Sequence, residues 1–325
     1  MTSFGIAGKR RAGLEKQEIG TVTVVGTGTI GASWTCLFLA HGLDVVATDI
    51  REDAEAELIA AVERCWISLP QSLLDAGRRG KLRFSADLEA ACKETDFVQE
   101  NAVERLDAKI ELMHRIDAAT SRDVIIASSS SAISVTDMQA ACAHPERVVL
   151  GHPFNPPHLV PLVELVGGVR TEEVFLKQAE CFYAGLGKVP IRLQKEIYGH
   201  VANRLQAAIF REAIHLLESG VASAEDIDRA VTEGPGLRWA LMGPLLTYHL
   251  AGGEKGMSGF WEMFGPMQEK LWRELGSELP DPALQARVAA AVQRSHQDTA
   301  SLALAADRNL NLRRLLTVRT AKSID

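Results

Sequence analysis

Cysteine is scarce in this chain, with five in 325 residues and no C-x-x-C pair. No histidine stands at a ligand spacing from them, so neither a structural zinc nor a disulfide framework is expected. Free thiols in a reducing compartment fit better. An excess of basic charge is also missing: the formal net charge is -7, which argues against a nucleic-acid surface. No apolar run reaches the length of a membrane span. The first 19 residues carry Lys9, Arg10 and Arg11 but no apolar segment behind them. They read as a loose leader or flexible tail rather than a signal peptide, and the expected compartment is the cytoplasm. Repeats and low-complexity segments are absent, and after about residue 195 no strand pattern stands out.

What is present is ordinary for a globular protein: 46% apolar and 24% charged residues, in a chain long enough for two domains. The first part alternates strands and helices. Short apolar runs at Thr21–Val25, Val45–Thr48, Phe97–Val98, Val124–Ala127, Val148–Leu150, Leu162–Val166 and Val189–Leu193 read as strands. Between them, helical periodicity covers Ile30–His41, Asp53–Trp66, Ala86–Lys93, Leu106–Ile116 and Thr171–Leu186. Gly42 supplies a stop for the first of these helices. Such alternation predicts an α/β domain with a mostly parallel, doubly wound sheet of Rossmann type over residues 20–194. An all-helical domain is predicted for 195–325. It opens with one long helix over Tyr198–Ser219, and Ser223 caps the next, with Asp226 three residues later.

Gly26-Thr27-Gly28-Thr29-Ile30-Gly31 fits G-x-G-x-x-G, between a predicted strand and a predicted helix. That context turns a weak motif into a dinucleotide site. Gly26 would permit the tight turn, Gly28 the approach of a pyrophosphate, and Gly31 close packing of helix on strand. Thr29 and Ile30 open the helix whose backbone N–H groups would face the phosphates. Asp49, at the end of the second strand, would accept from the ribose hydroxyls and repel a 2′-phosphate, which favours NAD over NADP. Arg51, two residues on, would soften that preference. The plainer reading is a Gly-rich turn and a strand-end acid that caps something local.

Gly151-His152-Pro153-Phe154-Asn155-Pro156-Pro157 sets a histidine among prolines, and Glu164 follows twelve residues later in an apolar run. A histidine near neutrality can take a proton from an alcohol, and a carboxylate can hold its ring in the right tautomer. Most histidines are structural, and this chain has nine.

These segments resemble the L-3-hydroxyacyl-CoA dehydrogenase superfamily, with its H-x-F-N-P signature followed by a strand that ends in Glu, here Glu164. Glu100-Asn101-Ala102-Val103-Glu104 with Lys109 is similar to the family's E-A-x-x-E-x-x-x-x-K. Ser128–Ser131 is similar to its S-N-T-S, and Gly199–Leu205 to its G-F-x-x-N-R-L. The motifs occur in family order from about residue 20 to 270. The resemblance implies NAD as cofactor, His152 as general base and Glu164 as its orienting partner. It implies Ser131 and Asn203 as donors to substrate oxygens, and Glu104 and Lys109 near the nicotinamide or its ribose. For those last two the alternative is a surface acid–base pair on a helix. Ser129, Ser130 and His200 depart from the family pattern, which puts an acyl-CoA substrate in doubt.

Gly234–Pro244 is longer than the family's G-x-G-Y-P-M-G-P and contains Arg238 and Trp239. It resembles two free-acid branches of the superfamily, the L-carnitine dehydrogenase and L-gulonate 3-dehydrogenase (lambda-crystallin) types. Leu246–Met257 is similar to the first of these. A guanidinium at Arg238 would bind a free carboxylate through two parallel hydrogen bonds; a structural ion pair is the alternative. Trp239, Tyr248, Phe260 and Trp261 would suit a quaternary ammonium, or equally a core or dimer contact. The expected reaction is NAD-dependent oxidation of a small L-3-hydroxy acid, carnitine-like or gulonate-like. An L-3-hydroxyacyl-CoA dehydrogenase and an NAD-binding, crystallin-like structural protein are the competing readings. Arg78, Arg79 and Lys81 would serve CoA phosphates in the first of these, or form a solvated charge run. A homodimer through the helical domain is expected, because its apolar helices need more cover than one copy provides.

Overall fold

The computed structural model describes residues 19–295 and 299–320. The leader expected at residues 1–19 lies outside the described residues, apart from Ile19. The chain parts into two compact units between Tyr198 and Gly199.

The first unit is built on one eight-stranded sheet: β1 Thr21–Val25, β2 Asp44–Thr48, β3 Leu82–Phe84, β4 Phe97–Glu100, β5 Ile125–Ser128, β6 Val148–Pro153, β7 Leu162–Gly167 and β8 Val189–Arg192. Their order is β3-β2-β1-β4-β5-β6-β7-β8. All neighbours are parallel except β6 and β7, which run antiparallel. The chain reverses direction of travel between β1 and β4, the switch point at which doubly wound sheets bind ligands.

Both faces of the sheet are covered, and strand alternation sorts the core accordingly. Val22, Val24, Phe97, Ile125, Ala127, Val149, Val163 and Leu165 join one cluster with Trp34, Phe38 and Tyr183. Val25, Val98, Ile126, Val148, Leu150 and Val166 join another with Met113 and Ile116. The helix Thr29–Ala40 is buried at every position from Gly31 to Ala40, which explains why its sequence is apolar on all sides. It stops at Gly42, whose φ of +80° suits glycine.

Three short elements carry no periodicity that would reveal them in the sequence: the helices Gln71–Asp75 and Val135–Met138 and the edge strand β3. Each is five residues or fewer.

The second unit contains, among the described residues, helices and no strand. Its long helix begins at Ala202 rather than Tyr198. Gly199 and His200 have φ of +74° and +50°, outside the right-handed helical region, so the helix starts only after them. Upstream, Glu196 accepts from the backbone N–H and side chain of Thr136, which ties Lys195–Tyr198 to the first unit. Ser223 caps Ala224–Thr232 by accepting from the N–H of Asp226.

Candidate active site

The loop after β1 closes tightly. Gly26 has φ of +82°, and a Cβ there would lie 2.8 Å from the carbonyl carbon of Asn101. A Cβ on Gly31 would lie 1.9 Å from the Gly26 carbonyl oxygen, so helix and turn touch backbone to backbone. Gly28 differs: a Cβ there meets nothing within 4 Å, and no side chain caps the helix that it precedes. An exposed backbone at an uncapped helix N-terminus is what a pyrophosphate needs, and the fit for a dinucleotide is good. Thr29 and Ile30 form the first turn above it.

Asp49 follows β2. Its carboxylate accepts from the Thr27 N–H at 2.8 Å and the Thr27 hydroxyl at 2.9 Å, and from Arg51. Burial opposes its charge, but the hydrogen bonds from Arg51 and Thr27 outweigh that and hold its carboxyl at about 2. Arg51 also reaches Glu57, so its guanidinium is already shared between two acids.

The family-like run that starts at the end of β4 is buried at its two ends, Glu100 and Lys109, and exposed over residues 103–107. Lys109 is 1% exposed and donates to both oxygens of the fully buried Glu100, at 2.8 and 3.0 Å, and to the Ala102 carbonyl. Glu100 accepts further from Ser128 Oγ and the Ala102 N–H. Glu104 lies 3.6 Å from Lys109. One of its oxygens accepts from Ser130 Oγ and from the N–H groups of Ser131 and Ala132. Burial again opposes its charge, and these bonds and Lys109 lower its carboxyl below the usual range. Lys109 is therefore a buried partner of the 38% exposed Glu104, and together with Glu100 they hold the loop that presents the exposed Ser131. Glu100 was visible in the motif, but nothing in its spacing marks it as the partner of Lys109.

A second buried network runs beneath. Tyr183 donates to Gln99, which donates to Ser129 Oγ at 3.0 Å; Ser129 also accepts from Trp34 and donates to Asn101. The serine that replaces the family's usual asparagine is thus a hub among buried groups, a role that composition and periodicity do not announce.

His152 and Glu164 are cross-strand partners in the antiparallel β6–β7 ladder. His152 Nδ1 lies 2.8 Å from Glu164 Oε2; the ring is 4% exposed and the carboxylate 0%. Glu164 lies inside its strand rather than at its end. By alternation both side chains share the face that carries Leu150 and Val166. His152 stands near the carboxyl end of β6, Ser131 follows the carboxyl end of β5, and the glycine loop follows that of β1. All three occupy the sheet edge where doubly wound folds place ligands.

Asn203, Arg238 and Trp239 belong to the second unit. Asn203 is in the first turn of Ala202–Glu218, and Arg238 and Trp239 end the short helix Pro235–Trp239. Arg238 is exposed, and among the described residues no acid pairs with it. Tyr248, Phe260 and Trp261 form a chain of ring contacts, in which Phe260 is buried. Within Leu246–Met257, a Cβ on Gly252 would fall 1.7 Å from the Gly256 carbonyl oxygen, whereas Gly253 and Gly256 have φ of +61° and +58°; just beyond, a Cβ on Gly259 would lie 2.4 Å from the Gly252 carbonyl oxygen. In the first unit Arg79 pairs with Glu63 and stacks over Trp66.

Profiles of the 3-hydroxyacyl-CoA dehydrogenase family match most of the chain, up to residue 281. The NAD binding domain covers residues 21–197, and the C-terminal domain covers 199–281. The chain belongs to the 3-hydroxyacyl-CoA dehydrogenase family. It is an NAD-dependent dehydrogenase that acts on a CH–OH donor. An L-carnitine dehydrogenase of Streptomyces griseus subsp. griseus is 44% identical over 294 residues, 90% of this chain and 88% of that protein. One from Pseudomonas syringae pv. syringae is 46% identical over 268 residues, 82% and 83% of the two chains. Among solved structures, the NAD+-dependent 5-formyl-3-hydroxy-2-methylpyridine 4-carboxylic acid 5-dehydrogenase superposes with a TM-score of 0.78 at 27% identity, over 93% of this chain and 98% of that one. The (S)-3-hydroxybutyryl-CoA dehydrogenase of Ralstonia eutropha gives 0.61 at 29% identity, over 84% and 94%. No helix among the described residues is long and apolar enough to cross a membrane.

Proposed function

We propose that this dehydrogenase oxidises the 3-hydroxyl of a small free L-3-hydroxy acid, with L-carnitine as the first candidate, to the 3-oxo acid. The observation that carries the substrate is the 44–46% identity to L-carnitine dehydrogenases over most of both chains. The hydrogen-bonded His152–Glu164 pair supports the chemistry.

NAD, when bound, supplies the hydride acceptor. Glu164 holds the Nδ1 side of the His152 ring, so the substrate hydroxyl proton is taken at Nε2. The carboxylate then stabilises the imidazolium that forms. General-base help of this kind contributes about 10²- to 10⁴-fold, or roughly 3 to 5 kcal/mol off the barrier. Ser131, on the loop that Glu104 holds, and Asn203 orient the substrate oxygens. Arg238 anchors the carboxylate through a bidentate pair. The trimethylammonium of carnitine needs aromatic faces, and Trp239, Tyr248 and Trp261 are 37%, 42% and 47% exposed, unlike Phe260.

NADH absorbance at 340 nm should rise with L-carnitine far faster than with L-gulonate or L-3-hydroxybutyrate, and 3-hydroxybutyryl-CoA should be a poor donor. Faster turnover of the thioester would replace this reading with that of an acyl-CoA dehydrogenase. No turnover at all would favour an NAD-binding structural protein. Arg238→Met should cost on the order of 10- to 100-fold in kcat/KM for the acid and leave NAD binding alone.

A homodimer through the helical unit and a cytoplasmic location complete the proposal. The helix Ala202–Glu218 buries no residue in the single chain, and Phe210, Met267 and Trp272 are exposed. The cysteines are free. Light scattering should give twice the chain mass, and a monomer would end the dimer reading.

A further inference from the structure

Between β6 and β7 the chain makes a compact connection over residues 154–161, and its two ends carry His152 and Glu164. The N–H groups of Leu159 and Val160 both return to the Pro156 carbonyl. His158 is pinned on both ring nitrogens, by Ser33 at 2.7 Å and Ser68 at 2.8 Å. The remaining tie is unusual in kind. Lys188 is 7% exposed, and its ammonium donates to the carbonyls of Pro157 and of Val160, the second at 2.6 Å. It also lies 5.2 Å from the Trp34 ring centroid. The next residue, Val189, opens β8, which pairs with β7 from the side away from β6.

Burying an ammonium is costly, and a methionine would fill the same space without that cost. What the cation adds is direction: it fixes two carbonyls of the connection against the strand beyond β7. We propose that Lys188 is a positioning residue for the reaction, which locks the β6–β7 connection and thereby keeps the His152 ring in line with Glu164. Such alignment matters because a displacement of about 1 Å at a reacting group costs on the order of 100-fold in rate. The proposal rests on His152 as the base.

The test is a double-mutant cycle on the full-length enzyme, with kcat expressed per NAD-binding site so that unfolded protein drops out. The variants are Lys188→Met, Glu164→Gln and the two combined. Lys188→Met should lower kcat by about 10- to 100-fold with unchanged KM and NAD affinity. The double variant should be no slower than Glu164→Gln alone, because both changes spoil one alignment. A double variant that falls by the product of the single losses would overturn the proposal. So would a Lys188→Met enzyme with normal kcat per site, or a Glu164→Gln enzyme with full activity. If Lys188→Met does not fold, Lys188→Arg, which keeps the cation, enters the same cycle with a smaller expected loss and the same deciding outcome. Failure of the base reading itself is seen separately, as a His152→Ala enzyme that keeps its turnover.

Discussion

The two units solve the problem of holding polar groups in opposite ways. In the first, buried charges and amides are bonded to one another: Lys109 to Glu100, Glu100 to Ser128, Tyr183 to Gln99, His152 to Glu164. In the second, buried apolar side chains among the described residues are few, Ile227, Phe260 and Leu284, and ion pairs such as Arg229–Glu225 and Arg273–Glu269 are exposed. A group bonded on several sides in a dry interior is fixed to a fraction of an ångström; an exposed one is not. The most closely held polar groups, His152 and Glu164 among them, therefore lie in the first unit.

The largest effect that would break this contrast lies at the base. His152→Ala should reduce kcat by about 10²- to 10⁴-fold, read as NADH formation, with NAD affinity retained. Next comes Lys109→Met, which strands the buried Glu100 carboxylate. It should cost about 3 to 5 kcal/mol in urea unfolding of the first unit, followed through loss of NAD protection. Asp49→Ala should lower the NAD-over-NADP preference by roughly 10- to 100-fold, because charged hydrogen bonds to the ribose are lost. In the parent enzyme the contribution of Asp49 to NAD binding should be flat from pH 5 to 9. The Asp49 carboxyl is held at about 2, so it stays ionised until the pH falls through that value. The smallest effect is Ser223→Ala, which removes a single exposed cap and should cost about 1 kcal/mol by thermal unfolding. If Ser223→Ala proved as costly as Lys109→Met, the contrast between a bonded unit and a loosely covered one would not hold.

Much of the first unit was legible because its signals are local. Gly26, Gly28 and Gly31 announce a strand–turn–helix at fixed offsets, and Asp49 follows at the end of the next strand. The apolar runs of β1, β5 and β6 are likewise a property of a few consecutive residues. The cross-strand meeting of His152 with Glu164 was half legible: the residues stood out, but the reversal of β7 that sets them opposite is a property of the whole sheet. The partner of Lys109, the hub at Ser129 and the clamp at Lys188 were not legible. Each joins residues brought together by tertiary packing, and a buried lysine reads in a sequence like any solvated one. The Leu246–Met257 motif misleads in another way. Its likeness to one substrate branch is carried in part by glycines that the packing of two helices requires.

That glycine contact has a mechanical consequence. With no side chain on Gly252 or Gly259, the C-terminal end of Pro244–Ala251 meets the first turn of Gly256–Glu274 main chain to main chain, while the His249 ring packs on Gly256 and Tyr248 on Phe260. That close approach leaves the two segments little room to slide past each other. Whatever rearrangement accompanies substrate capture, this pair travels as a single lever, and a distance measured between labels on its two arms should stay constant throughout the cycle.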